Sequence, residues 1–197
     1  MNYLILIAYI TGWGVVHSAL ASLRIKDLFQ RMVGRGLNNA YRLVYNIFSF
    51  ISIAPLLWLM RMLPDRMVYE FSMPWKSLMN VGQGLALLLL FVTLLQTDVL
   101  AFIGLRQWVG EGKPAVLITD GFYHWVRHPL YFFGLLFLWL TPVMTANMLV
   151  VYISLSLYLL IGAYFEERKL SQEFGALYAE YKSLTPMFIP GLIIKRR

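Results

Sequence analysis

The chain has 197 residues, 59% of them hydrophobic and 14% charged, with a mean hydropathy of +0.65, which leaves too little polar surface to cover a soluble globule. The absence of cysteine excludes disulfides, cysteine nucleophiles and thiolate metal centres. A formal charge of +7 does not argue for nucleic acid, because basic residues beside apolar spans mark the cytoplasmic loops of membrane proteins.

A spanning helix needs ~20 predominantly apolar residues, so the chain has room for about five. The expectation is a single all-α membrane domain, a polytopic helical bundle of about five transmembrane helices with a C-terminal amphipathic cytoplasmic helix. Residues 1–100 would supply three N-terminal spans and residues 101–197 the half that carries the site.

The first span is predicted over residues 3–23, with no charge before Arg24. Ala19-Leu20-Ala21 resembles a small-residue cleavage site, yet no basic residue precedes the apolar run as a secretory leader requires, so the segment is read as a helix. His17-Ser18 near its end suits either the headgroup layer or a polar position facing the bundle interior. Residues 24–42 form a basic connector, with Arg24, Lys26, Arg31, Arg35 and Arg42 against Asp27 and with Gly34 and Gly36 as punctuation. The second span, residues 43–62, carries Pro55 as a tolerated kink. Residues 63–76 are a mixed-charge loop. The third span, residues 77–95, holds Gly82-x-Gly84 near its start, a close-packing face rather than a phosphate loop, since no strand–turn–helix unit surrounds it.

Residues 98–120 are less hydrophobic and read as an interfacial amphipathic piece followed by a turn at Gly110, Gly112 and Pro114. Residues 121–134 then read GFYHWVRHPLYFFG. From Pro129 about a dozen apolar residues precede Thr141-Pro142, well short of a ~30 Å hydrocarbon core at ~1.5 Å each. The residues before Pro129 are therefore drawn towards membrane depth, where irregular backbone survives only beside protein or a water-filled cavity. The fifth span is predicted over residues 148–165, forming a helical hairpin with the fourth. Glu166-Glu167 opens a last helix with Leu170, Phe174, Leu177, Tyr178 and Tyr181 on one stripe, ended by Pro186 and Pro190 and followed by Lys195-Arg196-Arg197.

The basic residues favour an outside N-terminus and a cytoplasmic C-terminus, leaving only Arg61, Arg66 and Lys76 on the outer side. That topology puts residues 121–129, Glu166-Glu167 and the last helix on one side. Pro129 suits the first turn of a helix, whose free N–H groups, with Arg127, attract a carboxylate or phosphate. Glu166 and Glu167 oppose them with negative charge. The pairing suits a zwitterionic ligand, with Tyr123, Trp125, Tyr131 and Phe132 as apolar walls. The blander readings are a membrane-interface aromatic belt, a snorkelling Arg127, a structural His128 and a solvated pair of glutamates. His17, His124 and His128 as a haem or metal set is disfavoured.

The ordered set Arg127-His128-Pro129-x-Tyr131, Gly134, Glu166-Glu167-x-x-Leu170, Phe174-Gly175, Tyr178-x-x-Tyr181, Pro186 and Pro190 closely resembles the integral-membrane methyltransferases related to isoprenylcysteine carboxyl methyltransferase. Gly104-Leu105-Arg106-Gln107 and the WLTPVMTANML stretch resemble the methanethiol S-methyltransferase branch; the N-terminal half is similar only loosely. The resemblance implies methyl transfer from S-adenosylmethionine, leaving S-adenosylhomocysteine, in a cavity at the cytoplasmic leaflet of a bacterial inner membrane. It implies a cofactor pocket of Tyr123, His128, Pro129, Leu130 and Tyr131, with Glu166 or Glu167 binding the cofactor's polar end. Prenylcysteine enzymes carry a substrate-binding arginine about one turn before the glutamates; here Gly162, Ala163 and Tyr164 stand there, which favours a small thiol over a prenylcysteine carboxylate. Arg127 and His128 are the catalytic candidates, Arg127 stabilising a thiolate and His128 accepting its proton. The alternatives are carboxyl methylation of a prenylcysteine, N-methylation of an amine or phospholipid, an NADPH-dependent membrane reductase, and a non-enzymatic accessory bundle. The expected partners are the lipid bilayer and a small-molecule or lipidic methyl acceptor, with no metal and no nucleic acid.

Overall fold

A computed structural model of the chain describes residues 2–33, 40–109 and 116–191. Gly34, Arg35 and Gly36 of the connector, the turn residues Gly110, Glu111, Gly112, Lys113 and Pro114, and Lys195-Arg196-Arg197 lie outside the described residues. The fold is all-α and polytopic, as the composition requires. Four helical stretches are long and apolar enough to cross a membrane, Asn2–Ala21, Tyr41–Met62, Trp75–Leu95 and Ala146–Leu184, and Pro129–Trp139 is a shorter apolar helix.

The chain divides into two compact units, each built from separated stretches. The first comprises Met1–Arg66, Asp98–Pro114 and Thr145–Ser154. It opens with α1 (Asn2–Ala21), followed across Ser22 by α2 (Leu23–Val33). The expected kink of the second span is a break into α3 (Tyr41–Ile51) and α4 (Ala54–Met62), with Pro55 in the first turn of α4. The break is held from α1, where Tyr9 donates to the Ser52 carbonyl at 2.6 Å and the Trp13 indole to the Ser52 hydroxyl at 2.8 Å. Such partners allow a proline in a membrane helix. His17 stacks on Trp13 and its ring meets the Tyr45 hydroxyl at 2.8 Å, so it is bonded within the helix pack. The interfacial piece contains α6 (Val99–Ile103) and α7 (Leu105–Trp108), tied together by Asp98, which caps α6 through the Ala101 N–H and accepts from Arg106. Asp65 caps the start of the Ala146–Leu184 helix by accepting from the Asn147 N–H at 2.9 Å. Burial works against this carboxylate, but hydrogen bonds from Thr145 and from the Asn147, Arg66 and Ala146 N–H groups prevail and hold its pKa below the ordinary range.

The second unit comprises Met67–Thr97, Ala115–Met144 and Leu155–Arg197. Its α5 (Trp75–Leu95) packs along α9 (Pro129–Trp139). Of the paired glycines, Gly82 makes the close contact: a Cβ there would meet Leu140 Cδ1 at 3.2 Å, whereas Gly84 faces open space. At 11 residues α9 reaches only about 16 Å, as the sequence argument required. Its end is satisfied by Gln83 of α5, whose amide donates to the Phe137 carbonyl at 2.9 Å and to the Thr141 hydroxyl at 3.1 Å. Beyond α9 the chain makes a short pairing that the hydropathy pattern does not reveal, β1 (Met67–Glu70) with β2 (Val143–Thr145), extended by Phe71 N–H to the Pro142 carbonyl.

The start of the last helix is corrected by the structure. No helix begins at Glu166; the helix α10 (Ala146–Leu184) runs through both glutamates and breaks at Gly175, whose φ of 53° and ψ of −122° suit glycine alone. The consequence is geometric. Eleven residues of straight helix would separate Glu167 from Tyr178 by about 16 Å, yet the Tyr178 hydroxyl lies 2.7 Å from the Glu167 carboxylate, so the chain doubles back at Gly175. Tyr178 and Tyr181 of the expected stripe are buried, while Leu177 is exposed.

Candidate active site

The site lies within the second unit and is built where residues 121–131, α10 and the segment after it converge. Gly121, at φ 62°, turns the chain into the single-turn α8 (Phe122–Trp125), and the Gln96 side chain accepts from the Phe122 N–H at 3.1 Å. Val126 is extended, and residues 127 and 128 pair with the chain beyond α10. The Arg127 N–H donates to the Pro186 carbonyl at 2.9 Å and the His128 N–H to the Met187 carbonyl at 3.2 Å. Tyr181 donates to the Tyr123 carbonyl at 2.5 Å. Pro129 then starts α9 at the position its ring prefers, and its side chain is fully buried.

Glu167 is the centre of this convergence. Its carboxylate, 6% exposed, receives Arg127 at two points, Nε at 2.8 Å and a terminal nitrogen at 3.0 Å. It also accepts from Tyr178 at 2.7 Å, meets His128 Nε2 at 3.1 Å, and pairs with Lys182 Nζ at 3.0 Å. Arg127 is itself held by the carbonyls of Lys182, at 3.3 Å, and Thr185. A buried charge pair survives only when its remaining donors and acceptors are satisfied, and here both partners are. Both oxygens of Glu167 are thus engaged by protein donors.

Glu166 is different. Its side chain is 44% exposed, accepts from the Tyr131 hydroxyl at 2.8 Å and faces His128 Nδ1 at 3.7 Å. The two ring nitrogens of His128 thus face different carboxylates, Nε2 the buried Glu167 and Nδ1 the more exposed Glu166. The His128 ring stacks on Tyr131 with centroids 5.4 Å apart and 7° between planes, and Phe188 covers it at 5.6 Å. Tyr123 lies close enough to feel Glu166: burial first, and then that negative charge, pushes its phenol up to about 12, so it remains a neutral donor.

The structure therefore gathers Tyr123, Arg127, His128, Tyr131, Glu166 and Glu167, with Pro129 as the buried hinge and Leu130 half-buried beside it. Trp125 stands apart as a wall: it is 59% exposed and meets Phe122 edge-on. Lys182, Thr185 and Phe188 belong to the site although their residue types gave no signal for it, because only the reversal at Gly175 returns them to Glu167. Among the described residues no group of metal-ligating side chains is present.

The phospholipid methyltransferase family model matches residues 80–176, which include α9 and both glutamates. The chain is 31% identical over 191 residues to methanethiol S-methyltransferase 2 of Bradyrhizobium diazoefficiens, an overlap of 94% of this chain and 72% of that protein. The chain belongs to this family of membrane methyltransferases. It is also 28% identical to the methanethiol S-methyltransferase of Pseudomonas deceptionensis, over 93% of this chain and 71% of that protein. Identity to the methanethiol S-methyltransferase of Mycobacterium tuberculosis is 30%, over 90% and 74%. No solved structure matches the chain.

Proposed function

We propose that this methyltransferase moves the methyl group of S-adenosylmethionine to a small thiol such as methanethiol, in a site that opens at the cytoplasmic leaflet of a bacterial inner membrane. The observation that carries the reading is the division of labour between adjacent carboxylates. Glu167 is fully occupied by Arg127, His128, Tyr178 and Lys182, whereas Glu166 keeps an exposed face beside aromatic rings.

The residues present fit the donor. S-adenosylmethionine carries a sulfonium, an ammonium and a carboxylate, so it is cationic overall and needs a carboxylate and electron-rich ring faces. Glu166 supplies the first and Tyr123 and Tyr131 the second. When bound, the donor supplies an electrophilic methyl carbon on a positively charged sulfur. His128, whose Nδ1 faces Glu166, is the side chain here that would take the acceptor's proton. Arg127, expected from sequence to stabilise the thiolate, is better placed as a positioning residue, since Glu167 and the Lys182 and Thr185 carbonyls hold its guanidinium.

Gly162 supports a small acceptor. Counting ~100° per residue, it lies one turn before Glu166, on α10 between the exposed Phe165 and the buried Ala163. Ala163 beside it is fully buried, yet a Cβ on Gly162 would meet nothing within 4 Å. Open space at this position, beside the part-exposed Glu166, provides room for a compact substrate. The matched family is described by phospholipid methylation, which makes a lipid amine the second reading. The orientation, with the N-terminus outside, rests on the excess of basic residues in the loops assigned to the cytoplasm.

Detergent-purified protein should bind S-adenosylhomocysteine but not NADPH, and should release methyl-labelled dimethyl sulfide when given labelled S-adenosylmethionine and methanethiol. Binding of NADPH alone would replace this reading with a reductase. Binding of neither would point to a non-enzymatic bundle.

A further inference from the structure

The basic connector read from sequence contains a helix with an apolar face. At ~100° per residue, Ile25, Leu28, Phe29 and Met32 of α2 fall within about 100° of arc. Arg24 and Arg31 border this stripe on one side and Lys26 on the other, with Asp27 opposite. The structure anchors only part of the stripe: Phe29 packs on Tyr41 with centroids 5.1 Å apart, whereas Leu28 is 53% and Met32 76% exposed. Arg24, Lys26 and Arg31 are exposed and make no ion pair among the described residues.

Three media could surround such a helix. Water would leave Leu28 and Met32 uncovered. A spanning orientation would place Arg24, Lys26, Asp27 and Arg31 in hydrocarbon, and 11 residues are too few to cross. The headgroup layer satisfies both faces, and α2 starts after a one-residue break at Ser22, directly at the end of the span α1. Ser22 fixes that break: its hydroxyl donates to the Ala19 carbonyl at 2.6 Å and accepts from the Ile25 N–H at 3.4 Å. α1, which leads into it, likewise carries exposed apolar residues, Leu4, Val15 and Val16.

We propose that α2 lies in the plane of the membrane as an interfacial helix, inserting Leu28 and Met32 among the acyl chains and collecting anionic phospholipid headgroups with Arg24, Lys26 and Arg31. Apolar insertion flanked by lysine and arginine is the physical basis of such binding, with roughly fivefold in anionic-lipid preference for each basic side chain near the surface.

The chain has no cysteine, so single labels can be placed without background substitutions. Met32→Cys in the full-length protein would carry a fluorophore in nanodiscs containing brominated phosphatidylglycerol or, at equal mole fraction, brominated phosphatidylcholine. Quenching by both lipids, stronger with phosphatidylglycerol, is expected. Arg24→Gln/Lys26→Gln/Arg31→Gln in the same background should remove the phosphatidylglycerol preference and leave quenching by phosphatidylcholine and S-adenosylhomocysteine binding unchanged. No quenching by either lipid, through exposure to water or burial against a second copy, would overturn the membrane placement. Equal quenching by the two lipids before the charges are removed would overturn the anionic preference.

Discussion

Replacing Glu167 by glutamine should damage the fold, whereas the same change at Glu166 should damage ligand binding. Glutamine keeps the shape of residue 167 but turns a buried anion into a neutral amide. Arg127, 8% exposed, would then keep its charge without a counter-ion, and the amide N–H2 would face a donor. Removing one partner of a buried pair costs about 3–5 kcal/mol, and the contacts from Tyr178, His128 and Lys182 are weakened as well. For a chain of this size that corresponds to a midpoint lowered by roughly 6–20 °C. Intrinsic tryptophan fluorescence of the detergent-solubilised protein during heating measures it. Glu166, 44% exposed with one short hydrogen bond, should lose no more than about 1 kcal/mol as glutamine. An apolar replacement of the whole pair, Arg127→Met with Glu167→Leu, should be less harmful than the sum of its single changes, because no charge is stranded. If Glu167→Gln unfolds within about 1 kcal/mol of the unchanged protein, the carboxylate is not the keystone its geometry implies.

Gly162→Leu should abolish methyl transfer to methanethiol while leaving S-adenosylhomocysteine binding within about threefold, about 0.7 kcal/mol; unchanged turnover would place the acceptor elsewhere. Gly121→Ala should destabilise by about 1–3 kcal/mol in thermal unfolding, because the position has φ 62° and a Cβ would meet the Gln96 amide at 2.5 Å. Asp65 has a pKa lowered in the folded state, so its contribution is present above the unfolded value near ~3.9 and is lost as pH falls through the folded one. Thermal midpoints should therefore drop below about pH 4, and Asp65→Asn should flatten that drop.

Much of the site could be read from residue order. The shortness of the run after Pro129 drew attention to the residues before it, and the topology expected from the basic residues set Glu166-Glu167 on their side; the structure brings the two segments together. Sequence could not separate the two glutamates, because their difference lies in which one meets Arg127, Tyr178 and Lys182. That depends on the reversal at Gly175. A polar run beginning at Glu166 looks like a helix start, yet the helix continues in register through it, and the glycine that breaks it sits nine residues into that run. The α2 helix was hidden for a related reason: its basic residues dominate the connector, and its apolar stripe appears only at helical spacing. The β1–β2 pairing is too short, at 4 and 3 residues, to produce an alternating pattern.

The fate of the methyl group decides what this site does. Purified protein given methyl-labelled S-adenosylmethionine with methanethiol, hydrogen sulfide, a prenylcysteine and phosphatidylethanolamine in parallel should deliver label to a volatile sulfide from methanethiol, and Glu166→Gln should remove that signal while the protein stays folded. Label recovered only in lipid or prenylcysteine would contradict the assignment of a small thiol as the acceptor.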